Sequence, residues 1–173
     1  MAILPVRTIP DPLLKIPSPQ LRNITPEIVT LAADMCATMR HHPHCVGLAA
    51  PQVGKNVRLI VVDVSRYHKP HSNHGHIVLA NPRIITSDGR RTGREGCLSV
   101  PEFTGNVTRA ERILVEGIDP RLAKDLHLEL DGFEAVVFQH EIDHLDGILF
   151  LDRVSSIKTD IFRRKTAAQL KDR

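Results

Sequence analysis

The segment 138–147, FQHEIDHLDG, sets His140 and His144 four residues apart with Glu141 directly after the first. Four residues slightly exceed one helical turn, so on a helix the two imidazoles project side by side and can share one cation. Glu141 is offset enough to reach a water on that cation rather than the cation itself. Two histidines hold a metal poorly alone, and hydrolytic centres of this kind use three protein ligands with one position left open. Extended zinc-peptidase patterns place a further ligand downstream. Here no histidine follows His144, and Asp146 and Asp152 are the only nearby acids, so the third ligand should come from upstream. Asp143 and Asp146 can each either orient a histidine or simply be solvated.

Two cysteines compete for the third position. Cys97, in REGCLSVPE (94–102), stands beside Gly96 in what reads as a polar loop. A thiolate suits zinc or iron, and coordination would hold it deprotonated. Cys45, in HHPHCVGLAAPQVG (41–54), sits among small residues that let another backbone come close. Composition alone does not choose between them. His41, His42, His44, His68, His71, His74 and His76 lie in hydrophilic stretches without a framework and read as solvated.

The elements that must carry these groups follow from periodicity and punctuation. Five prolines in residues 4–25 predict an extended, turn-rich arm over the surface. Thr25 and Pro26 then start a helix whose stripe of Ile28, Leu31, Ala32, Met35, Cys36 and Met39 recurs at helical spacing, which places Cys36 in the core. Residues 57–64, 76–81, 112–118 and 125–130 read as strands. Turns are expected at Asp88-Gly89, Thr104-Gly105 and Asp119-Pro120, so the middle of the chain should form antiparallel sheet. A second helix should begin at Asp131, with Glu134 as capping-box partner, and close at Gly147. Phe133, Val136, Val137, His140, Glu141 and His144 share its inward face, where polar residues break the apolar rule as they do at functional sites. A third helix is expected over 156–170, with Ile157, Ile161 and Ala168 inward and Lys158, Arg163, Arg164 and Lys165 toward solvent. The expected architecture is α+β: antiparallel β-sheets packed around a central metal-binding helix, with an N-terminal and a C-terminal helix, in one domain over residues 1–173.

Composition narrows the function classes. A chain of 173 residues can bury roughly 70% of the surface its unfolded form exposes, enough for a core without staples. Aromatics make up only 3% and Trp is absent, so that core must be aliphatic. A net charge of +3 is too mild for a DNA binder, and no run approaches the 18 apolar residues of a membrane span. Three cysteines and a start, MAILPVRTIP, that meets prolines before any long apolar run point to the reducing cytoplasm.

Together CVGLAAPQ (45–52), EGCLSVP (95–101) and QHEIDHLDG (139–147) resemble the three signature motifs of the peptide deformylases, in the same order and spacing, across essentially the whole chain. The Pro-rich start and the expected C-terminal helix resemble those of the bacterial members. The resemblance implies that Cys97, His140 and His144 bind the metal, with a water as fourth ligand. It implies Fe(II) in cells, with zinc, nickel or cobalt as substitutes. Glu141 matches the catalytic acid/base, Gln52 the side-chain amide at the reacting carbonyl, and Leu98 the residue whose backbone N–H shares that task. The implied reaction is hydrolysis of the formamide on a nascent formyl-Met polypeptide, giving formate and a free amine.

Substrate contacts are expected along 45–48, where Val46 and Gly47 offer an extended edge for a peptide to pair as an added strand, and at Gly96. Phe133, Val136 and Val137 are expected to line a pocket for the methionine side chain. The basic C-terminal helix would dock on ribosomal RNA. Two departures stand out: Cys45 occupies a place where glycine is usual, as in the organellar-type members, and Phe103 and Thr104 lie where some members carry a substrate-holding arginine. The rival reading, a zincin-like metallopeptidase, shares HExxH but requires the missing downstream ligand. A non-catalytic binder of the same fold would be expected to have lost Glu141, Gln52 or a ligand, and none is lost.

Overall fold

Four consecutive aliphatic residues, Leu59–Val62 (β2), are buried on both sides because a helix packs on each face of the sheet they belong to. The side chains alternate. Leu59 and Val61 meet Ala32, Met35, Cys36 and Met39 of α1 (Pro26–His41), while Ile60 and Val62 meet Ala135, Val137, Phe138, Ile142 and Leu145 of α2 (Gly132–Leu145). Each such aliphatic side chain contributes about 1.5–3 kcal/mol on burial, so scarcity of aromatics does not leave the centre weak. The structure, a computed structural model, describes residues 1–67 and 73–164.

The remaining strands are β1 (Gly47–Ala49), β3 (Ile77–Asp88), β4 (Arg91–Cys97), β5 (Val100–Arg109), β6 (Arg112–Asp119), β7 (Lys124–Asp131) and β8 (Ile161–Arg163). They form a five-stranded sheet ordered β1-β2-β3-β6-β7 and a three-stranded sheet ordered β4-β5-β8, antiparallel at every pairing. A third apolar cluster, with Leu14, Val100, Val107, Leu149 and Phe150, lies under the smaller sheet beside α3 (Phe150–Arg153). Fold class is therefore α+β as expected, with α2 carrying the histidines between the sheets.

Several local expectations are corrected. Cys97 does not sit in a loop: it ends β4, paired with Val100 across a tight reversal. Thr104-Gly105 is not a turn but lies inside β5. Gly105 is small because Val154 and Phe150 close on it, a Cβ there lying 2.9 Å from Val154 Cγ1. Asp131 makes no side-chain cap, and Glu134 is not a capping partner; it is buried and accepts from the backbone N–H and Nδ1 of His74, at 3.0 and 2.8 Å. His76, half-buried with Nε2 3.1 Å from Cys36 Sγ, leaves the solvated set, whereas His74 stays exposed even with that contact; His68 and His71 lie outside the described residues. The proline-rich arm is not only superficial, since Leu14 is fully buried and Arg7, Ile9 and Ser18 N–H groups bond to Gln52, Ser99 and Leu145 carbonyls.

The C-terminal helix is also different. A four-residue helix, α4 (Ile157–Asp160), gives way to β8, because the free edge of β5 offers backbone partners to Ile161, Phe162 and Arg163. The rest of the expected helix, with Lys165 and Ala168, lies outside the described residues.

Candidate metal centre and active-site cleft

The helix α2 carries two buried stripes. Ala135, Phe138, Ile142 and Leu145 face the five-stranded sheet, and Phe133, Val136, Val137, His140, Glu141 and His144 run beside them. The last turn of β4 brings Cys97 against the second stripe. Ligand atoms of Cys97, His140 and His144 all lie within 4.8 Å of one another, and Sγ is 3.1 Å from His144 Nε2. Around a tetrahedral zinc-sized cation, a sulfur and a nitrogen ligand sit roughly 3.5 Å apart. The three donors therefore need little movement to hold an ion. Among the described residues no other cluster of three such donors occurs, and Cys45 is not part of this one: its thiol donates to the Gly47 carbonyl at 3.1 Å.

The electrostatics suit the same role. Burial pushes the Cys97 thiol up, but the charge and hydrogen bonds of His144 and His140 outweigh it and hold the group well below its ordinary range. Gln52 Nε2 and the Ser99 N–H also donate to the sulfur, at 3.3 and 3.4 Å. A thiol held low in this way favours the thiolate, the form in which a cysteine would ligate a cation.

His140 is oriented by a residue that periodicity did not single out. Glu95 Oε2 accepts from His140 Nδ1 at 2.8 Å, which leaves Nε2 for the metal. Glu95 is itself gripped by Arg109, with Nε and NH2 at 2.8 and 3.0 Å, and Arg109 reaches on to Asp143, which also takes two bonds from Arg153. Burial raises the Glu95 carboxyl, but the hydrogen bonds from His140 and Arg109 hold it at about 2. Asp143 is thus neither solvated nor bonded to a histidine: it anchors the arginine behind the glutamate. Asp146 pairs with Arg58 at 2.6 Å on the surface. The signal that could have found Glu95 is strand alternation, which puts it on one face with Cys97, but in sequence the segment reads as a loop, to which alternation does not apply. Glu95→Gln should weaken metal affinity by about 10- to 100-fold. Leaving buried Arg109 short of one partner should also cost about 3 kcal/mol of stability. Chelator competition and denaturant unfolding read the two effects separately.

Glu141 lies between the ligands with 4% exposure, and its Oε2 has no hydrogen-bond partner among the described residues. Burial pushes its carboxyl up to about 7, against the opposing pull of His140 and His144. Gly47 of β1 passes directly over it, and a Cβ there would lie 2.9 Å from Glu141 Cδ. Any side chain at 47 would displace the carboxylate. Gln52, in a 3₁₀ turn after β1, is aimed by the Ala49 N–H, which donates to Oε1 at 2.8 Å and turns the amide N–H₂ toward Cys97 and Ser99 Oγ.

These groups open into a cleft of about 520 Å³ between β1 and β4. Val46, Gly47, Gln52, Gly96, Leu98, Phe133, Val136 and Val137, all expected at the site from sequence, line it together with Cys97, His140 and Glu141. Phe133 stacks on Tyr67 with ring centroids 4.4 Å apart. Sequence reasoning did not single out Tyr67, Arg91 or Arg94 and set Arg164 on a helix toward solvent; all four also line the cleft.

A buried thiolate and two imidazoles around a cation-sized space, with an unpaired carboxylate beside them at the end of a peptide-sized cleft, define a mononuclear metallohydrolase. Residues 3–160 match the family model for polypeptide deformylase. The chain is 45% identical to a peptide deformylase of Syntrophobacter fumaroxidans over 99% of this chain and 98% of that protein, and 44% identical to one of Thermodesulfovibrio yellowstonii over 95% and 97%. A crystal structure of a peptide deformylase from Legionella pneumophila superposes with a TM-score of 0.81 at 38% identity, covering 91% of this chain and 89% of that one. One from Ehrlichia chaffeensis, in complex with actinonin, gives 0.83 at 33% identity, covering 91% and 92%. The chain belongs to the polypeptide deformylase family, metal-dependent hydrolases of protein biosynthesis that remove the formyl group from N-terminal formylmethionine. No helix among the described residues is long and apolar enough to cross a membrane.

Proposed function

We propose that residues 1–173 act as one catalytic domain that deformylates nascent formyl-Met polypeptides in the cytoplasm, with Cys97, His140 and His144 holding Fe(II). The observation that carries this reading is the buried Cys97–His140–His144 cluster with Glu141 unpaired beside it. One soft thiolate with two imidazoles fits Fe(II) and also accepts zinc, nickel or cobalt. When bound, such a cation supplies Lewis acidity, lowering the pKa of water toward neutrality and polarising a carbonyl.

The chain's own residues do the rest. Glu141, whose carboxyl sits near neutrality, accepts a proton from the attacking water at Oε2 and returns it to the departing nitrogen. As the formyl carbon becomes tetrahedral, charge grows on its oxygen. The Gln52 amide and the Leu98 backbone N–H donate to that oxygen, and one such donor is typically worth about 100- to 1,000-fold in rate. The substrate backbone pairs with free strand edges, since β1 bonds only to β2 and β4 only to β5. Val46, Gly47 and Gly96 then touch the peptide main chain, and small residues there let it approach. Phe133, Val136 and Val137 receive the methionine side chain. Among the described residues no downstream ligand of the zincin kind joins the cluster, whose third donor is Cys97 of β4. The basic C-terminal segment, with Lys158, Arg163 and the charges beyond residue 164, would place the enzyme on ribosomal RNA, where its substrate emerges.

The deciding experiment loads the protein with Fe(II) without oxygen and follows formate release from a formyl-Met peptide. Release is expected, with none from the same peptide lacking formyl as amine is already free. Iron-loaded protein that releases no formate would refute the reading.

A further inference from the structure

The floor of the cleft and its mouth carry opposite charge. On β4 the side chains alternate: Glu95 and Cys97 are buried and Arg94 and Gly96 exposed. Arg94 lies flat over Phe162 of β8, with Cζ 3.4 Å from the ring centroid, which fixes its guanidinium at the rim. Arg164, the residue after β8, is tied by its N–H to the Glu102 carbonyl at 2.7 Å, and its guanidinium covers Gly96 so closely that a Cβ there would lie 3.4 Å from Cζ. The two cations flank the strand edge along which a substrate would run. Neither has a carboxylate partner among the described residues, whereas Arg91 farther out has a loose one in Glu111 at 3.4 Å. Among the described residues the only carboxylates lining the cleft are Glu95 and Glu141, both buried at its floor, and Glu95 is already neutralised by Arg109. Among the described residues the charge at the mouth is therefore cationic and uncompensated.

We propose that Arg94 and Arg164 form a specificity subsite selecting formylated chains that carry acidic side chains two to three residues after the methionine. The inference rests on the deformylase reading of the same cleft. Arg94 precedes Cys97 by three residues, about 10 Å along a strand at 3.3 Å per residue. An extended substrate with its formyl group at Cys97 and Glu141 brings its third and fourth residues level with the two guanidiniums. Carboxylates there meet a fixed planar donor in Arg94 and a second cation in Arg164, while lysines meet like charge.

The test compares kcat/KM for three C-terminally amidated peptides on the iron-loaded, full chain: formyl-Met-Ala-Asp-Asp-Ser, formyl-Met-Ala-Lys-Lys-Ser and formyl-Met-Ala-Ser-Ser-Ser. The acidic peptide should exceed the basic one by about tenfold at low ionic strength, as two exposed charge pairs allow. That ratio should shrink toward one in 0.5 M KCl. Arg94→Glu with Arg164→Glu should invert it, and the milder Arg94→Gln and Arg164→Gln should each lower it, so poor folding of the double variant does not leave the matter open. A ratio near one in the parent protein, or a ratio that survives in the variants, overturns the proposal. Failure of the neutral peptide to release formate would instead overturn the deformylase reading beneath it.

Discussion

Glu141→Gln should keep its metal and lose turnover by about 10²- to 10⁴-fold, the usual contribution of a positioned general acid/base. Glutamine copies the shape of glutamate, so the tight passage of Gly47 over the side chain and the packing of α2 are retained. What it cannot do is accept a proton. The unpaired Oε2, buried beside the cluster, is the atom placed to do so, and burial has brought its carboxyl to about 7, where it can both take and return a proton near neutral pH. Glu141→Ala should lose turnover likewise, again with metal retained. Metal analysis of anaerobically loaded protein beside single-turnover formate release separates the two quantities. Loss of metal in these variants would mean that Glu141 is a ligand, and retained turnover would mean that the proton is carried by another group.

Cys97→Ala should lower metal content per chain sharply, and Cys45→Ala should leave it near the parent value. Removing a partner that merely orients a ligand weakens binding by about 10- to 100-fold, and deleting the ligand itself should cost more. The geometry behind the contrast is direct. Cys97 Sγ lies 3.1 Å from His144 Nε2 and takes two further hydrogen bonds, whereas the Cys45 thiol is turned to the Gly47 carbonyl. Metal quantified after desalting against a weak chelator decides between them. The reverse pattern would hand the ligand role to Cys45.

Much of the scaffold was legible because it depends on neighbours in sequence. The start of α1 at Thr25 and Pro26, its buried stripe, and the existence of strands β2, β3, β6 and β7 follow from local punctuation and periodicity. Strands β4, β5 and β8 were harder. β4 and β5 mix polar residues and glycines with few apolar ones, which dilutes alternation, and β8 is only three residues, Ile161–Arg163, too short to show a period. The helix expected over 156–170 failed for a related reason: helical spacing of apolar residues cannot register that β5 has an open edge within reach.

By itself the sequence determined the chemistry on offer. The histidine pair with its glutamate must share a helix face wherever that helix lies, because 3.6 residues per turn is a property of the backbone. It also limited the third ligand to an upstream residue and left two thiols in contention on composition. Only the tertiary structure decided which of them stands by the histidines, by ending β4 against α2 and turning Cys45 away. Only it joined Glu95, Arg109 and Asp143, drawn from β4, β5 and α2, into the buried chain that sets His140. The physical reason is range. Helical spacing acts across one turn, whereas these ion pairs bridge residues 14 to 45 positions apart, and their strength comes from a dry interior that exists only once the sheets have closed around the helix.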